Sequence, residues 1–215
     1  MNCMILTAGA SRSFPTSHSL IEAHDPNSNS LMINGKDSGR AFAELTDIQR
    51  FKLILIELED ECLGVHTGEQ RGTEGSNVLG FARFRLGHAD PTPLVEIVRQ
   101  PNSAAEAVAL AQNLFQSHGL KTAVCADFPG RIVNRLVRPY YNAALAKLDA
   151  GLATANDLDL TLRLGLGYPE GPIELLERTG LAEHCVTTES LYRALGDPAY
   201  APARRAQVAL AISKK

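Results

Sequence analysis

An α/β front followed by an all-α back is the fold class this sequence predicts, and three features carry it. The run Phe51-Lys52-Leu53-Ile54-Leu55-Ile56-Glu57-Leu58 has strand length and is apolar enough to be buried on both faces of a sheet. A helix-period segment from Ser103 is followed directly by a short strand at Thr122 to Ala126, the alternation of a partly parallel sheet. From Asp127 onward the periodic segments are all helical. The boundary is expected near Cys125 to Pro129, giving an α/β domain over 1–125 and a helical domain over 126–215.

Met4-Ile5-Leu6 starts a strand, and Thr7 to Ser11 turns after it. Ser, Asn, Pro, His and Gly then accumulate from Ser11 to Gly39, which reads as loop punctuated by short extended pieces. So long an irregular stretch is uncommon in a compact domain and suggests a regular region pared back. Ala41 to Arg50 is expected to hold a short helix, and Val78 to Phe84 and Leu94 to Val98 two more strands. Ser103 is expected to cap the next helix with Glu106 closing a capping box, and Gly119 to stop it. Further on, Ile132 to Ala150 places Val133, Leu136, Tyr140, Ala144 and Leu148 on one apolar stripe ending at Gly151, with Pro139 as a kink. Thr154 with Asp157 opens another helix, which Gly165 and Gly167 end. Pro172 suits the first turn of the next, and a last helix spans Thr188 to Leu195.

Composition narrows the function classes. Of 215 residues, 45% are apolar and 21% charged, a globular balance that excludes disorder, collagen and coiled coil. Twenty-one basic against 24 acidic residues give a net charge of −3 with no block of one sign, which disfavours nucleic acid and membrane surfaces. No apolar run approaches the ~18 residues of a membrane span. Met1-Asn2-Cys3-Met4 does not look like a secretory signal. Cys3, Cys62, Cys125 and Cys185 form no CxxC pair, as in a reduced cytoplasmic chain. His18, His24, His118, His184 and Cys185 lack metal-ligand spacing, so no metal is expected.

The string Asp127-Phe128-Pro129-Gly130-Arg131-Ile132-Val133-Asn134-Arg135-Leu136 resembles the D-x-P-G-F-I-V-N-R junction of the 3-hydroxyacyl-CoA dehydrogenase family. The likeness continues through Pro139 to Ala144 and through Leu164-Gly165-Leu166-Gly167-Tyr168-Pro169-Glu170-Gly171-Pro172-Ile173-Glu174-Leu175, which is similar to L-G-x-G-[YF]-P-x-G-P-x-E-L. These spaced motifs run in order over about Phe81 to Leu195. The resemblance implies a Rossmann-like front domain, here truncated, and an all-α domain of the 6-phosphogluconate dehydrogenase C-terminal type. It also implies fatty-acid or acyl-CoA metabolism, an acyl-CoA ligand, NAD as cofactor and a homodimer formed through the helical domain.

The family's hydride chemistry uses a histidine as base and a glutamate that orients it. Leu94-Val95-Glu96-Ile97-Val98-Arg99 resembles L-V-E-V-[IV]-x, which gives Glu96 the glutamate position, with Arg83, Arg85 and Arg99 as candidate ion-pair partners. Gly80-Phe81-Ala82-Arg83-Phe84 is the counterpart of G-L-H-F-F and puts Ala82 where the histidine belongs. The family's serine pair falls on Glu61-Cys62. Asn134 takes the place of the asparagine that faces the acyl thioester, or is a structural amide. His88 is the nearest histidine able to swing toward Glu96, or a solvated loop residue like His66. Arg131 replaces an apolar residue and either meets a CoA phosphate or Glu96, or is a solvated helix-start arginine.

The phosphate-binding turn G-x-G-x-x-G has its counterpart in Ala8-Gly9-Ala10-Ser11-Arg12-Ser13-Phe14, where only Gly9 remains and no helical pattern follows. The sequence therefore argues against NAD bound in the ordinary manner. It supports a dehydrogenase-like protein with impaired or lost hydride transfer. The alternative is a non-catalytic acyl-CoA-binding or dimerisation partner of an active dehydrogenase.

Overall fold

Six strands pair in the order in which they are synthesised: β1 (Met4–Thr7), β2 (Ser30–Asn34), β3 (Leu53–Glu57), β4 (Val78–Arg83), β5 (Leu94–Arg99) and β6 (Lys121–Ala126). In this computed structural model, which describes residues 1–68 and 77–215, β1 to β4 are mutually parallel, β5 runs antiparallel to β4, and β6 is parallel to β5. The expected partly parallel sheet is present, but its strand order never reverses, unlike the 3-2-1-4-5-6 order of a doubly wound dinucleotide fold.

β3 explains why the sheet is buried on both sides. Leu53 and Leu55 face a core of Met32, Leu79, Phe81, Val95 and Ile97 packed against Ala111, Leu114 and Phe115 of α4 (Ala105–Ser117). Ile54 and Ile56 face the other way, into Leu31, Ile33, Val78 and Val98, against Ala41 and Phe42 of α2 (Ser38–Ala43). Each such aliphatic side chain contributes about 1.5–3 kcal/mol on burial.

The segment expected to be loop contains a complete strand. β2 is buried at all five positions, Ser30 to Asn34, and separates β1 from β3. Its alternation is compressed into Leu31-Met32-Ile33 between polar residues, too short to register as a period. A one-turn helix, α1 (Ser19–Glu22), lies upstream. Ala41 to Arg50 holds the end of α2 and a 3-10 turn, Ile48–Arg50, instead of one helix. The capping box at Ser103 is not formed. Ala104 is the N-cap without a side-chain bond, and Ser103 Oγ accepts from Gln100 N at 3.0 Å.

The chain folds as two compact units, Met1–Arg85 with Pro91–Ile132, and Leu86–Asp90 with Val133–Lys215. The second unit contains α5 (Val133–Asp149), α6 (Ala155–Leu166), α7 (Pro172–Thr179), α8 (Leu181–Leu195), a 3-10 turn (Pro198–Tyr200) and α9 (Arg204–Ser213). Thr154 caps α6 as expected, its Oγ1 accepting from Asp157 N at 3.1 Å, and Gly167 ends it in the left-handed region. Gly165 lies inside α6 and does not end it. Pro172 opens α7, whose first N–H groups at Ile173 and Glu174 donate to the buried Asp159 carboxylate at 2.9 Å each. α8 begins at Leu181, seven residues before the expected Thr188, with Gly180 as an N-cap that makes no side-chain bond.

The long helix α5 differs most from its expected form. Leu136 is 70% exposed, and the buried positions are Asn134, Arg138, Tyr141, Asn142 and Leu145. The buried face is largely polar, so counting apolar residues selected the wrong stripe.

Candidate functional site

In the first unit, β4 and β5 place Ala82 directly opposite Glu96. Residues so paired bring their Cβ atoms within about 4.5–5.5 Å on one face of the sheet. The position that the motif assigns to a histidine therefore adjoins the glutamate, but carries a methyl group.

The Glu96 carboxylate is committed to the chain that follows β6. Its Oε1 accepts from Ile132 N at 2.8 Å, and its Oε2 lies 3.4 Å from Arg131 Nε. Both side chains are buried, Arg131 at 5% and Glu96 at 2% exposure. Arg131 reaches this place because Gly130 and Arg131 both adopt left-handed backbone, φ 75° and 55°. That conformation is natural for glycine and costs a side-chain-bearing residue such as arginine about 1 kcal/mol or more. Arg131 Nη2 donates to Glu59 O at 2.6 Å, while Nη1 is buried without a hydrogen-bond partner among the described residues. Of the alternatives given for Arg131, the structure shows contact with Glu96, as a buried cation and not a solvated helix-start arginine. Arg83 is used elsewhere: its guanidinium donates to Ser13 O, Pro91 O and Thr92 O.

Asp127, the first residue of the junction motif, accepts from Leu63 N at 2.7 Å and Gly64 N at 2.8 Å, fixing the start of α3 (Gly64–Thr67). At the serine-pair position, Glu61 Oε1 lies 3.2 Å from His66 Nε2, so His66 is a partnered side chain and not a solvated one.

The carboxyl ends of β1 to β3 are where a dinucleotide would sit. Here Glu57, buried at the end of β3, accepts from Ser13 N and Gly35 N at 2.6 Å each. Ala8 N donates to Asn34 O at 2.7 Å, and Asp37 N to Ala8 O at 2.9 Å. Gly9 has φ 87°, with Lys36 and Asp37 side-chain atoms 3.1–3.2 Å from where a Cβ would be. In the turn after β1, Ala8 N and Ser13 N are thus taken by the protein's own carbonyl and carboxylate, and only the four-residue α1 follows β1.

In the second unit, Asn134 stands on the first turn of α5, and Arg138 Nε donates to its Oδ1 at 2.9 Å. Arg138 Nη1 lies 2.9 Å from His184 Nδ1, and His184 Nε2 lies 3.0 Å from Asn142 Oδ1. Burial, with the Arg138 charge second, pushes the His184 pKa down to about 3, so the ring is neutral. His88 is also in this unit. Its Nε2 lies 3.0 Å from Glu183 Oε1, and its backbone N–H donates to Thr179 O at 2.8 Å. A Cβ on the preceding Gly87 would lie 1.9 Å from Thr179 O, so only glycine fits there.

The structure thus brings together Glu96 with Arg131, Asn134 with Arg138, and His88 with Glu183. Glu57, Arg138, Asn142 and His184 were not singled out as site residues. The signal for the α5 face was the i, i+4, i+8 spacing of Asn134, Arg138 and Asn142, a polar ladder along one side of the helix. Among the described residues no group of His, Cys, Asp or Glu is arranged to hold a metal, and no helix is long and apolar enough to cross a membrane.

A mostly parallel sheet unit and a helical unit opened by the D-x-P-G junction define a dehydrogenase-like architecture. Residues 130–212 match the family model described as 3-hydroxyacyl-CoA dehydrogenase, C-terminal domain. The chain is 37% identical over 111 residues to a probable 3-hydroxyacyl-CoA dehydrogenase of Caenorhabditis elegans, covering 50% of this chain and 36% of that protein. It is 37% identical over 143 residues to the mitochondrial hydroxyacyl-coenzyme A dehydrogenase of Rattus norvegicus, covering 61% and 46%. The 3-hydroxybutyryl-CoA dehydrogenase structure of Escherichia coli K12 superposes with a TM-score of 0.72 at 26% identity, over 94% of this chain and 42% of that one. Over these stretches the chain is similar to the 3-hydroxyacyl-CoA dehydrogenases, and residues 130–212 match the model of that family's C-terminal domain. Its matches span less than half the length of these curated relatives.

Proposed function

We propose that this protein binds acyl-CoA thioesters in fatty-acid or acyl-CoA metabolism and has lost, or retains only weakly, the NAD-dependent hydride transfer of its relatives. The observation that carries this reading is Ala82 opposite Glu96, with the glutamate ion-paired to Arg131. Neither the Ala82 methyl group nor a guanidinium can accept a proton at neutral pH, and the carboxylate is engaged by Arg131 and Ile132 N, so the histidine's role as base has no substitute at this position. The closed loops around Glu57 support the same reading from the cofactor side. Within the first unit, the unpartnered Arg131 Nη1 is a donor for a ligand oxygen. The test is NADH consumption with acetoacetyl-CoA at high protein concentration, beside calorimetric titration of acetoacetyl-CoA. Binding without turnover supports the proposal. Turnover above the no-enzyme control overturns the loss of hydride chemistry, and His88 is then the first residue to replace.

The second reading is a dimerisation partner, either as a homodimer or beside an active dehydrogenase. It is favoured by Leu160, Leu164 and Leu166 of α6, exposed by 48%, 77% and 62%. A groove of about 410 Å³ between α5 and α6, lined by Ala144, Leu158 and Leu162 among others, adds to this apolar surface. Sedimentation at micromolar concentration tests it, and a monomer counts against the homodimer.

A further inference from the structure

Arg131, in the first unit, combines two costly features. Among the described residues it is the one non-glycine residue in the left-handed region, at φ 55°, and its side chain is only 5% exposed. Backbone strain of this kind persists only where the surrounding structure enforces it, and it gathers at sites that clamp a ligand. The guanidinium carries five N–H donors in a fixed plane. Nε faces Glu96 Oε2 at 3.4 Å and Nη2 donates to Glu59 O at 2.6 Å, which sets the plane of the group. Nη1 is then buried without an acceptor among the described residues. A buried charged donor without a partner is rare in a native chain, and an oxygen that arrives from outside accounts for it.

The character of that oxygen follows from what surrounds the guanidinium. The Arg131 charge is already balanced by Glu96. The segment that supplies Glu59 O also carries Asp60 and Glu61. The Glu59 carboxyl is pushed up by burial first and by Glu61 next, the mark of an acidic neighbourhood. A ligand carboxylate would be repelled here, and a neutral oxygen would not. Arginine keeps its protons, so Nη1 donates and cannot accept. A ketone oxygen brings acceptor sites alone. A hydroxyl brings a proton as well, and Ala82 stands where the base for that proton belongs. A base serving a 3-hydroxyacyl group has to reach its C3 oxygen, so the cation that pairs with Glu96 in its stead faces the same atom.

We propose that Arg131 is a specificity-determining residue. Its Nη1 donates to the C3 carbonyl oxygen of a 3-oxoacyl-CoA and favours that ligand over the 3-hydroxyacyl and unsubstituted thioesters. The ligand class rests on the reading given under Proposed function; the burial of an unpartnered donor beside Glu96 does not.

Two measurements on the full chain test this. In the first, acetoacetyl-CoA, 3-hydroxybutyryl-CoA, butyryl-CoA and free CoA are titrated calorimetrically. Acetoacetyl-CoA should bind on the order of tenfold tighter than butyryl-CoA, the worth of one charge-assisted hydrogen bond, and about threefold or more tighter than 3-hydroxybutyryl-CoA. In Glu96→Gln/Arg131→Met, which strands no charge, acetoacetyl-CoA and butyryl-CoA should bind within about twofold of each other. A merely structural arginine would weaken both thioesters alike and leave their ratio as it was, so an unchanged ratio in the folded variant overturns the proposal. Equal binding of acetoacetyl-CoA and 3-hydroxybutyryl-CoA by the parent chain overturns it too. In the second measurement, infrared spectra of acetoacetyl-CoA ¹³C-labelled at C3 should show the ketone stretch at lower frequency when bound than when free. An unshifted stretch in the parent chain overturns the proposal without recourse to a variant. If the thioesters bind better than free CoA but alike, the acyl-CoA reading stands and the proposal alone falls. If none binds better than free CoA, that reading fails and takes the proposal with it.

Discussion

Ala82 and Glu96 face each other across the antiparallel pair β4–β5, and the carboxylate of that pair is held by Arg131. An imidazole introduced by Ala82→His would have a carboxylate as its cross-strand neighbour and a guanidinium close behind. The carboxylate raises its pKa and the guanidinium lowers it. The introduced histidine should therefore titrate about one unit higher in Ala82→His/Arg131→Phe than in Ala82→His alone. Imidazole NMR titration measures the difference, and identical values would mean that Arg131 does not govern the field at this position.

Glu96 and Arg131 should behave as a coupled pair. Removing one charge leaves the other buried, so Glu96→Ala is expected to cost about 3–5 kcal/mol in urea unfolding. The double variant Glu96→Gln/Arg131→Met should recover much of that loss, because neither charge is then stranded. Strictly additive losses would contradict the coupling.

Glu57 ties the loops after β1 and β2 together through Ser13 N and Gly35 N. Glu57→Ala leaves both N–H groups without their charged acceptor and should cost about 3 kcal/mol. Limited proteolysis is expected to cut the 8–17 region of this variant much faster than that of the parent chain. Equal cleavage rates would show that the carboxylate does not hold the loops.

His184 makes stability depend on pH in a defined direction. Burial first, and the Arg138 charge second, lower its pKa from 6.5 to about 3, so the unfolded chain binds the proton more readily than the folded one. Its contribution is complete above about pH 6.5 and is lost as pH falls toward 3, by at most about 1.4 kcal/mol per pH unit. His184→Gln should flatten that part of the curve measured by urea unfolding. An unchanged slope would assign the acid loss to other groups.

Where apolar periodicity and punctuation decide local structure, the sequence was legible. The aliphatic run at β3, the Thr154 cap, the Gly167 stop and the Pro172 start all occupy their expected places. β2 was not legible, because three apolar residues between polar ones give no period. The buried face of α5 was missed for a different reason. Its cohesion comes from hydrogen bonds among Asn134, Arg138, Asn142 and His184, and hydrophobic spacing does not report those. Contact of Arg131 with Glu96 was one of the alternatives read from the sequence, but the left-handed backbone after Pro129 that delivers it is announced by no side-chain pattern. The motifs assigned Ala82 and Glu96 their positions separately, and the strand pairing sets them opposite each other.

A sheet whose neighbours in space are neighbours in sequence can be assembled one strand at a time. Each strand from β2 to β6 pairs with its immediate predecessor, so no strand waits for a later one to be inserted beside it. A reversing order cannot grow this way, because its first strand must keep an open flank for a partner made much later. With strand pairing restricted to adjacent segments, loop-closure entropy is met in small steps, and such local topology favours rapid folding during synthesis.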